Sequence, residues 1–506
     1  MFNLSSNNDV NIVGDVSYRL VTGKSNMKIH LDHHFTNRIY TSSSSVSGHV
    51  QIEVSKDTQF DKVQILFMGT GKSRMDGVRS PHITSHTFLK LEMPIPESSY
   101  PAPRIYEAGQ SYRIPFNFVI PRHLTLNACN HNIDSDAVKD SHLCLPPSMG
   151  SWGGKDDLAP DMSTVEYTVV ARLFAEEDHT RKLTKIMEMS YPVRILPAHP
   201  ESPPLHVTPR DKLYKMSKTK TLRKSIIAGK VGKLTATVKQ PSAVMLSSDA
   251  TSATTTAAQV DLVFDPSSSL SLPPTVTGVS SKLSAVTYYC AGAINGFPNM
   301  GEWVRAFGAD SRGSYPSSVS LAATHIDKLR WRQNIKMEAR RGSAASTTTT
   351  ATSDSIESVS DAGRTGQDSD PDRRRGSKDS SKEESPIYHT ASFRVPIDLP
   401  VHKKLFIPSF HSCIVSRVYV LWLTVSLSCG GNNTNIMLGV PLQIGVLSAE
   451  GVIDHLGPPS FEAAVEEAQA DEFLRPRTMS VPDVQFQRHA LPGYADLMSG
   501  RAVVAH

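Results

Sequence analysis

Apolar and polar residues alternate along two stretches of this chain with the period of a β-strand. In the first, Tyr112, Ile114, Phe116, Phe118 and Ile120 share one face; in the second, Val165, Tyr167, Val169, Ala171 and Leu173 do the same. Polar residues fill most of the alternate positions. Successive strand side chains point to opposite faces, so each stretch is predicted to bury one face of a sheet. Between them lies a long loop, CNHNIDSDAVKDSHLCLPPSMGSWGGKDDLAPDM. Strands are predicted at residues 27–31, 46–54, 63–68, 86–91, 111–120, 165–174 and 186–195. That spacing, with Gly, Pro and Ser between, fits a β-sandwich.

A proline-rich segment at residues 196–209 (LPAHPESPPLHVTP) follows. Repeated prolines exclude helix interiors and central strands, so it reads as a hinge between two domains. A second strand series begins at Gly232, with Leu234, Ala236 and Val238 on one face, then Val260, Leu262 and Phe264, then residues 283–289. It resumes at 392–400 and runs through 405–427 and 436–444. Between the two parts, residues 309–390 are largely Ser, Thr, Asp and Arg with few aromatics, too little apolar surface to offset chain entropy. The expected organisation is therefore one domain at 10–197, a Pro/Lys-rich linker at 198–231, and a second domain at 232–308 plus 391–447. A disordered insert at 309–390 and a flexible tail at 448–506 complete it. Within the tail, FEAAVEEAQADEF at 461–473 places Phe461, Ala464, Val465 and Ala468 at helical spacing, which predicts a short exposed helix.

Composition narrows the function classes. The chain has 506 residues and a formal net charge of +4, with its basic residues scattered. No basic stripe interleaved with aromatics argues for nucleic acid. Five widely spaced cysteines do not make a disulfide framework, and a reducing compartment is expected. The N-terminal residues lack a basic start followed by an apolar core, as a secretory signal would have. The most apolar run, VYVLWLTVSL at 418–427, is half the roughly 20 residues a spanning helix needs and is rich in β-branched and aromatic residues. A buried strand is expected there, in a soluble cytoplasmic protein whose work at membranes is done through partners.

Catalytic signatures are absent: there is no phosphate-cradling Gly loop, nucleophile elbow, His-Glu zinc helix or diagnostic carboxylate pair. No cofactor is expected. One pattern has metal-ligand character, Cys129-x-His131 followed by His142-x-Cys144. Zinc accepts such a set in a closed tetrahedral site, but the spacing matches no common finger, and structural pairing of buried loop side chains is the main reading. Lysines crowd residues 212–239, which reads as a solvated linker and a charge-protected edge strand.

Short linear signals say more. Ser385-Pro386-Ile387-Tyr388 and Leu491-Pro492-Gly493-Tyr494 both contain Pro-x-Tyr in segments expected to be flexible. WW domains read such segments in polyproline II, with the tyrosine in a neighbouring pocket. With 33 Pro and 14 Tyr in the chain, chance supplies roughly one Pro-x-Tyr, so number alone decides nothing. Leu491 stands where the full motif has proline, which removes one preorganised residue. Three serines follow basic residues: Ser343 after Arg340-Arg341, Ser377 after Arg374-Arg375, and Ser480 with Arg477 three before it and Pro482 two after. The last looks like a 14-3-3 docking site once phosphorylated.

Several of these stretches resemble the arrestin-like N-terminal domain, in particular its fungal branch. They are the "AGxxYxIPFxFxIP" strand, the "LPPSxG" turn at 145–150 and the "LAPDMxxVxYxVxARL" strand at 158–173. FRVPIDLP, KLFIPSFHSCIVSRVY and VPLQI likewise resemble the arrestin C-terminal domain. The resemblance covers most of the predicted strands. It implies two immunoglobulin-like β-sandwiches in tandem and an adaptor, not an enzyme. It further implies cytoplasmic segments of membrane transporters or receptors as cargo, and recruitment to the plasma membrane or endosomes. A HECT-type ubiquitin ligase would be recruited through its WW domains, Leu-Pro-x-Tyr at 491–494 resembling an accepted variant of the ligase-binding motif. The lysine-rich stretch would serve membrane attraction or ubiquitin acceptance. A signalling scaffold of the same fold, without ligase recruitment, is the alternative.

Overall fold

The structure, a computed structural model, describes residues 26–448 except for 36–37, 77–80, 178–181, 225–228, 302, 304–311, 327 and 336–385. Strands dominate. The described residues contain one α-helix, Asp136–Leu143, and two single-turn 3-10 helices, Glu97–Ser99 and Leu126–Ala128.

The alternating stretches fold as their pattern requires. In Ser111–Val119, Ile114, Phe116 and Phe118 are buried while Arg113, Pro115 and Asn117 are exposed. This strand pairs antiparallel with Ser45–Glu53, which pairs in turn with Asn26–Leu31, making a three-stranded sheet. A five-stranded sheet faces it, in the order Ile39–Tyr40, Leu183–Ile195, Ser163–Glu176, Lys62–Met75, His82–Glu92. Aromatic rings close the space between the sheets, with Phe67 stacked 5.7 Å from Phe118 and 6.1 Å from Tyr167 between ring centroids. Offset rings of this kind bury large apolar faces and favour one arrangement over a merely greasy interior. The result is an all-β sandwich.

The C-terminal strands form their own sheets. One runs Ser217–Arg223, Lys230–Val238, Thr256–Pro266, Ile387–Ile397, Arg332–Ile335. Another is centred on Thr275–Cys290 paired with Val415–Cys429, flanked by Arg312–Ser320 and Asn432–Leu442. The apolar run at 418–427 is a strand, as expected. Val418 to Leu421 are buried whichever way they point, and alternation returns from Trp422. Two-sided burial explains the continuous run of apolar letters. No helix of the described residues is long and apolar enough to cross a membrane.

Three expectations about organisation change. Arg312–Ser320, Thr324–His325 and Arg332–Ile335, and the start of Ile387–Ile397, are strands where residues 309–390 were expected to lack regular structure. Their polar side chains sit at sheet edges, and the backbone pairing that holds them, such as Lys282 opposite Ser320 through Cys290 opposite Arg312, does not depend on composition. Residues 336–385 of that segment, and the tail from 449 with its expected helix at 461–473, lie outside the described residues. Secondly, the Pro/Lys-rich linker is partly built into the C-terminal sheets. His199 exchanges backbone hydrogen bonds with Val446 at 3.0 and 2.8 Å, and Lys215 bridges to Gly439. Leu205, Val207 and Tyr214 cover the outer face of Val286, Tyr288, Val418 and Val420. Ser217–Arg223 is indeed an edge strand, with Lys218 exposed. Thirdly, the strands sort into two sets on either side of the proline-rich segment, yet one contiguous hydrophobic cluster runs through both sets, with the patch at Val286, Tyr288, Val418 and Val420 apart from it.

Candidate functional site

The two strand sets meet where the long loop after Ser111–Val119 lies against the C-terminal sheets, and the buried side chains of Arg417, Asp157 and His142 gather there. Backbone and hydroxyl hydrogen bonds stitch the seam. Asp134 N–H donates to the Asn295 carbonyl at 2.9 Å, Ser73 Oγ to the Cys290 carbonyl at 2.5 Å, and Thr84 Oγ1 to the Ala291 carbonyl at 2.7 Å.

At one end of the seam Arg417, on the central strand Val415–Cys429, is fully buried. Its Nε donates to Thr287 Oγ1 at 2.8 Å, and its Nη1 donates to the Asp157 carbonyl at 3.0 Å. The second terminal nitrogen lies 3.5 Å from Met149 Sδ. The Asp157 side chain, also buried, accepts from the Gly150 N–H at 2.7 Å and the Ala159 N–H at 3.2 Å. Burial raises the pKa of the Asp157 carboxyl, and the Gly150 N–H and the Arg417 charge hold it back. Next to it, Asp156 pairs with Lys404 and its carbonyl accepts from Leu405 N–H at 3.0 Å. The LPPSMG turn, at Met149, and the Asp156–Asp157 pair just before the LAPDM segment are thus gripped by the C-terminal set. Gly150, with φ +80°, supports the turn, because a side chain would be strained in that backbone conformation.

At the other end lies a cluster of sulfur and imidazole. Cys129 follows the turn Leu126–Ala128, His131 comes two residues later, His142 sits in the last turn of Asp136–Leu143, and Cys413 lies between Phe410–His411 and Val415–Cys429. Their ligand atoms all lie within 4.8 Å of one another. Cys129 Sγ is 3.4 Å from His131 Nε2 and 3.5 Å from His142 Nδ1. The two imidazole centroids are 5.4 Å apart. Cys129, His142 and Cys413 are buried and His131 is half-buried. His131 Nδ1 lies 2.9 Å from the Asn132 carbonyl, which can only accept, so Nδ1 carries the hydrogen and Nε2 presents its lone pair to the cluster. His142 Nε2 is buried without a hydrogen-bond partner. Burial, with help from His131 and His86, pushes the pKa of His142 down to about 4, so its imidazole is neutral. The Cys413 thiol is pushed up by burial and by the neighbouring Cys129.

This corrects the sequence-based set. Cys129, His131 and His142 come together as the pattern suggested, but Cys144 is not the fourth member. Cys144 caps the C-terminus of the helix, and its Sγ donates to the Asp140 carbonyl at 3.4 Å, back along its own helix. Residues two apart at a helix end do not face the same way. Cys413 takes that place from the other strand set. Neither it nor Arg417 carried a signal in the sequence, each being a single residue in a strand-rich apolar segment.

The linear motifs fare differently. Pro386 stands at a bend and Tyr388 is already in Ile387–Ile397, opposite Asn334. A tyrosine held in a ladder on a structured sheet is not a free polyproline II ligand, so the flexibility expected of this Pro-x-Tyr does not hold. Leu491, Pro492, Tyr494, Ser480, Arg477, Pro482, Ser343 and Ser377 lie outside the described residues. Scans of the chain against protein-family profiles and against curated proteins return no match.

Proposed function

We propose that this chain is a non-enzymatic arrestin-like adaptor that links cytoplasmic segments of plasma-membrane transporters or receptors to a HECT-type ubiquitin ligase, for ubiquitination and endocytosis. The observation that carries the reading is where the motifs of the resemblance fall in the all-β fold. The AGxxYxIPFxFxIP stretch supplies Ser111–Val119, Arg417 reaches Met149 of the LPPSMG turn and the Asp157 carbonyl just before LAPDM, and KLFIPSFHSCIVSRVY leads into the strand that delivers it. Two of these stretches, LPPSMG and KLFIPSFHSCIVSRVY, therefore meet where the two strand sets join. Ligase recruitment is assigned to Leu491, Pro492 and Tyr494, with a 14-3-3 protein on phosphorylated Ser480 as a second tail partner.

The tail motif is tested by titrating a peptide of residues 475–498 against a WW domain. If the tyrosine pocket and the proline groove both contribute, Tyr494→Ala lowers affinity by about tenfold or more, and Leu491→Pro raises it by restoring a preorganised residue. Equal affinities for the wild-type and Tyr494→Ala peptides would sink the ligase assignment.

A further inference from the structure

We propose that Cys129, His131, His142 and Cys413 bind one zinc ion that pins the N-terminal loop to the C-terminal sheets. Two thiolates and two imidazoles in a closed arrangement are a ligand set zinc takes in structural sites. The spacing fits. With Zn–S near 2.3 Å and Zn–N near 2.0–2.1 Å, the sulfur-to-nitrogen edge of a tetrahedron is about 3.5 Å. The two sulfur–nitrogen separations from Cys129 are 3.4 and 3.5 Å, and all four ligand atoms lie within 4.8 Å of one another.

Three further observations point to a cation. The His131 ring is oriented as a ligand should be, its Nδ1–H held by the Asn132 carbonyl and its Nε2 lone pair turned inward, the outer-shell arrangement that fixes the tautomer of metal-bound histidines. His142 is 1 % exposed, its Nδ1 lies at hydrogen-bond distance from the Cys129 sulfur, and its Nε2 is left without a partner. Coordination through Nδ1 would give this desolvated imidazole a strong bond where it otherwise has a thiol contact. Charge also balances. Zn²⁺ displaces one proton from each of the two thiols, and a dication with two thiolates and two neutral imidazoles carries no net charge, which a buried site can hold without a large desolvation cost. Cys413 Sγ otherwise has weak contacts for a buried thiol, to the Ala128 carbonyl at 3.8 Å and to the Cys129 thiol.

The consequence is topological. Three ligands come from residues 129–142 and the fourth from residue 413, so the ion closes a loop of most of the described chain. It would act as a removable staple between the two strand sets, beside the hydrogen bond from Asp134 to Asn295.

The test uses the full chain, expressed with zinc supplied and purified without chelator. Elemental analysis should find about one zinc per chain. Cys413→Ser and Cys129→Ser should lose it, while Cys144→Ser retains it. Replacement of zinc by Co²⁺ should give the intense visible bands of a tetrahedral site and a thiolate-to-cobalt charge-transfer band in the near ultraviolet. Because this spectrum is taken on the unsubstituted chain, it stands even if a cysteine variant fails to fold. Chelation should lower the melting temperature of the wild type and leave that of the metal-free Cys413→Ser chain unchanged. A folded chain that binds neither Zn²⁺ nor Co²⁺ would overturn the assignment, as would metal retained by Cys413→Ser or lost from Cys144→Ser. A Cys129–Cys413 disulfide in the purified protein, seen as a mass two hydrogens lighter that resists metal loading, would overturn it as well.

Discussion

Arg417→Ala is expected to destabilise the protein by about 3–5 kcal/mol, the cost of removing one partner from a buried charged network. The loss has two parts. Thr287 Oγ1 and the Asp157 carbonyl each lose a buried donor, and the Asp157 carboxylate loses the nearby cation that helps keep it ionised in the interior. The second part makes the cost depend on pH. Burial already raises the Asp157 pKa and Arg417 opposes that shift, so the variant raises it further. A carboxyl whose pKa is higher folded than unfolded stabilises the fold at low pH and loses that contribution as pH rises through the folded value. The penalty of Arg417→Ala should therefore be larger at about pH 8 than near pH 4, where protonation of Asp157 removes the uncompensated charge. Adding Asp157→Asn to Arg417→Ala should recover part of the loss at the higher pH. Urea unfolding of the single and double variants at both pH values measures all of this. A penalty under about 1 kcal/mol, or one equal at the two pH values, would mean that Arg417 is held by packing and not by this network.

Much of the architecture was legible because its cause is local. Period-two alternation in Ser111–Val119 and Ser163–Glu176, and an uninterrupted apolar run in Val415–Cys429, each record how many faces of a strand are covered. What was not legible depends on partners far away in sequence. Arg312–Ser320 looks like a polar linker and is a strand because Thr275–Cys290 offers it a free edge. The proline-rich segment does separate two strand sets, but nothing in its letters shows that His199 would pair with Val446. The cysteine–histidine cluster was half legible. Loop spacing brought out Cys129, His131 and His142, then suggested Cys144 by proximity, and a turn of helix sends Cys144 away. Arg417 lies in KLFIPSFHSCIVSRVY as one charge in an apolar strand, and its partners, Thr287 on the neighbouring strand and Asp157 and Met149 in the opposing loop, are all far away in sequence.

The second large effect is expected at Gly48, in the middle of Ser45–Glu53 and therefore in the central strand of the three-stranded sheet. It faces Leu31 on one side and Phe116 on the other. A Cβ there would run into the carbonyl oxygen of His30 and come within 3.0 Å of His30 C and Leu31 Cα. All three atoms belong to the backbone of Asn26–Leu31, so no side chain can rotate to make room, and the paired strand has to move. Overpacking of this kind costs about 1–3 kcal/mol, and the backbone character of the clash places Gly48→Ala at the upper end. Gly71 supplies the control within the same sandwich. Its Cβ would meet Ile414 Cδ1 and Cγ1 at 3.5 Å, an ordinary contact. Since alanine also reduces the entropy of the unfolded chain, Gly71→Ala should be neutral or stabilising by about 0.5 kcal/mol. Denaturant midpoints of the two variants should move in opposite directions or differ by at least about 2 kcal/mol when converted to free energy. Equal shifts would show that the Asn26–Leu31 edge strand yields without cost, and that the first sheet does not depend on the close approach of these backbones.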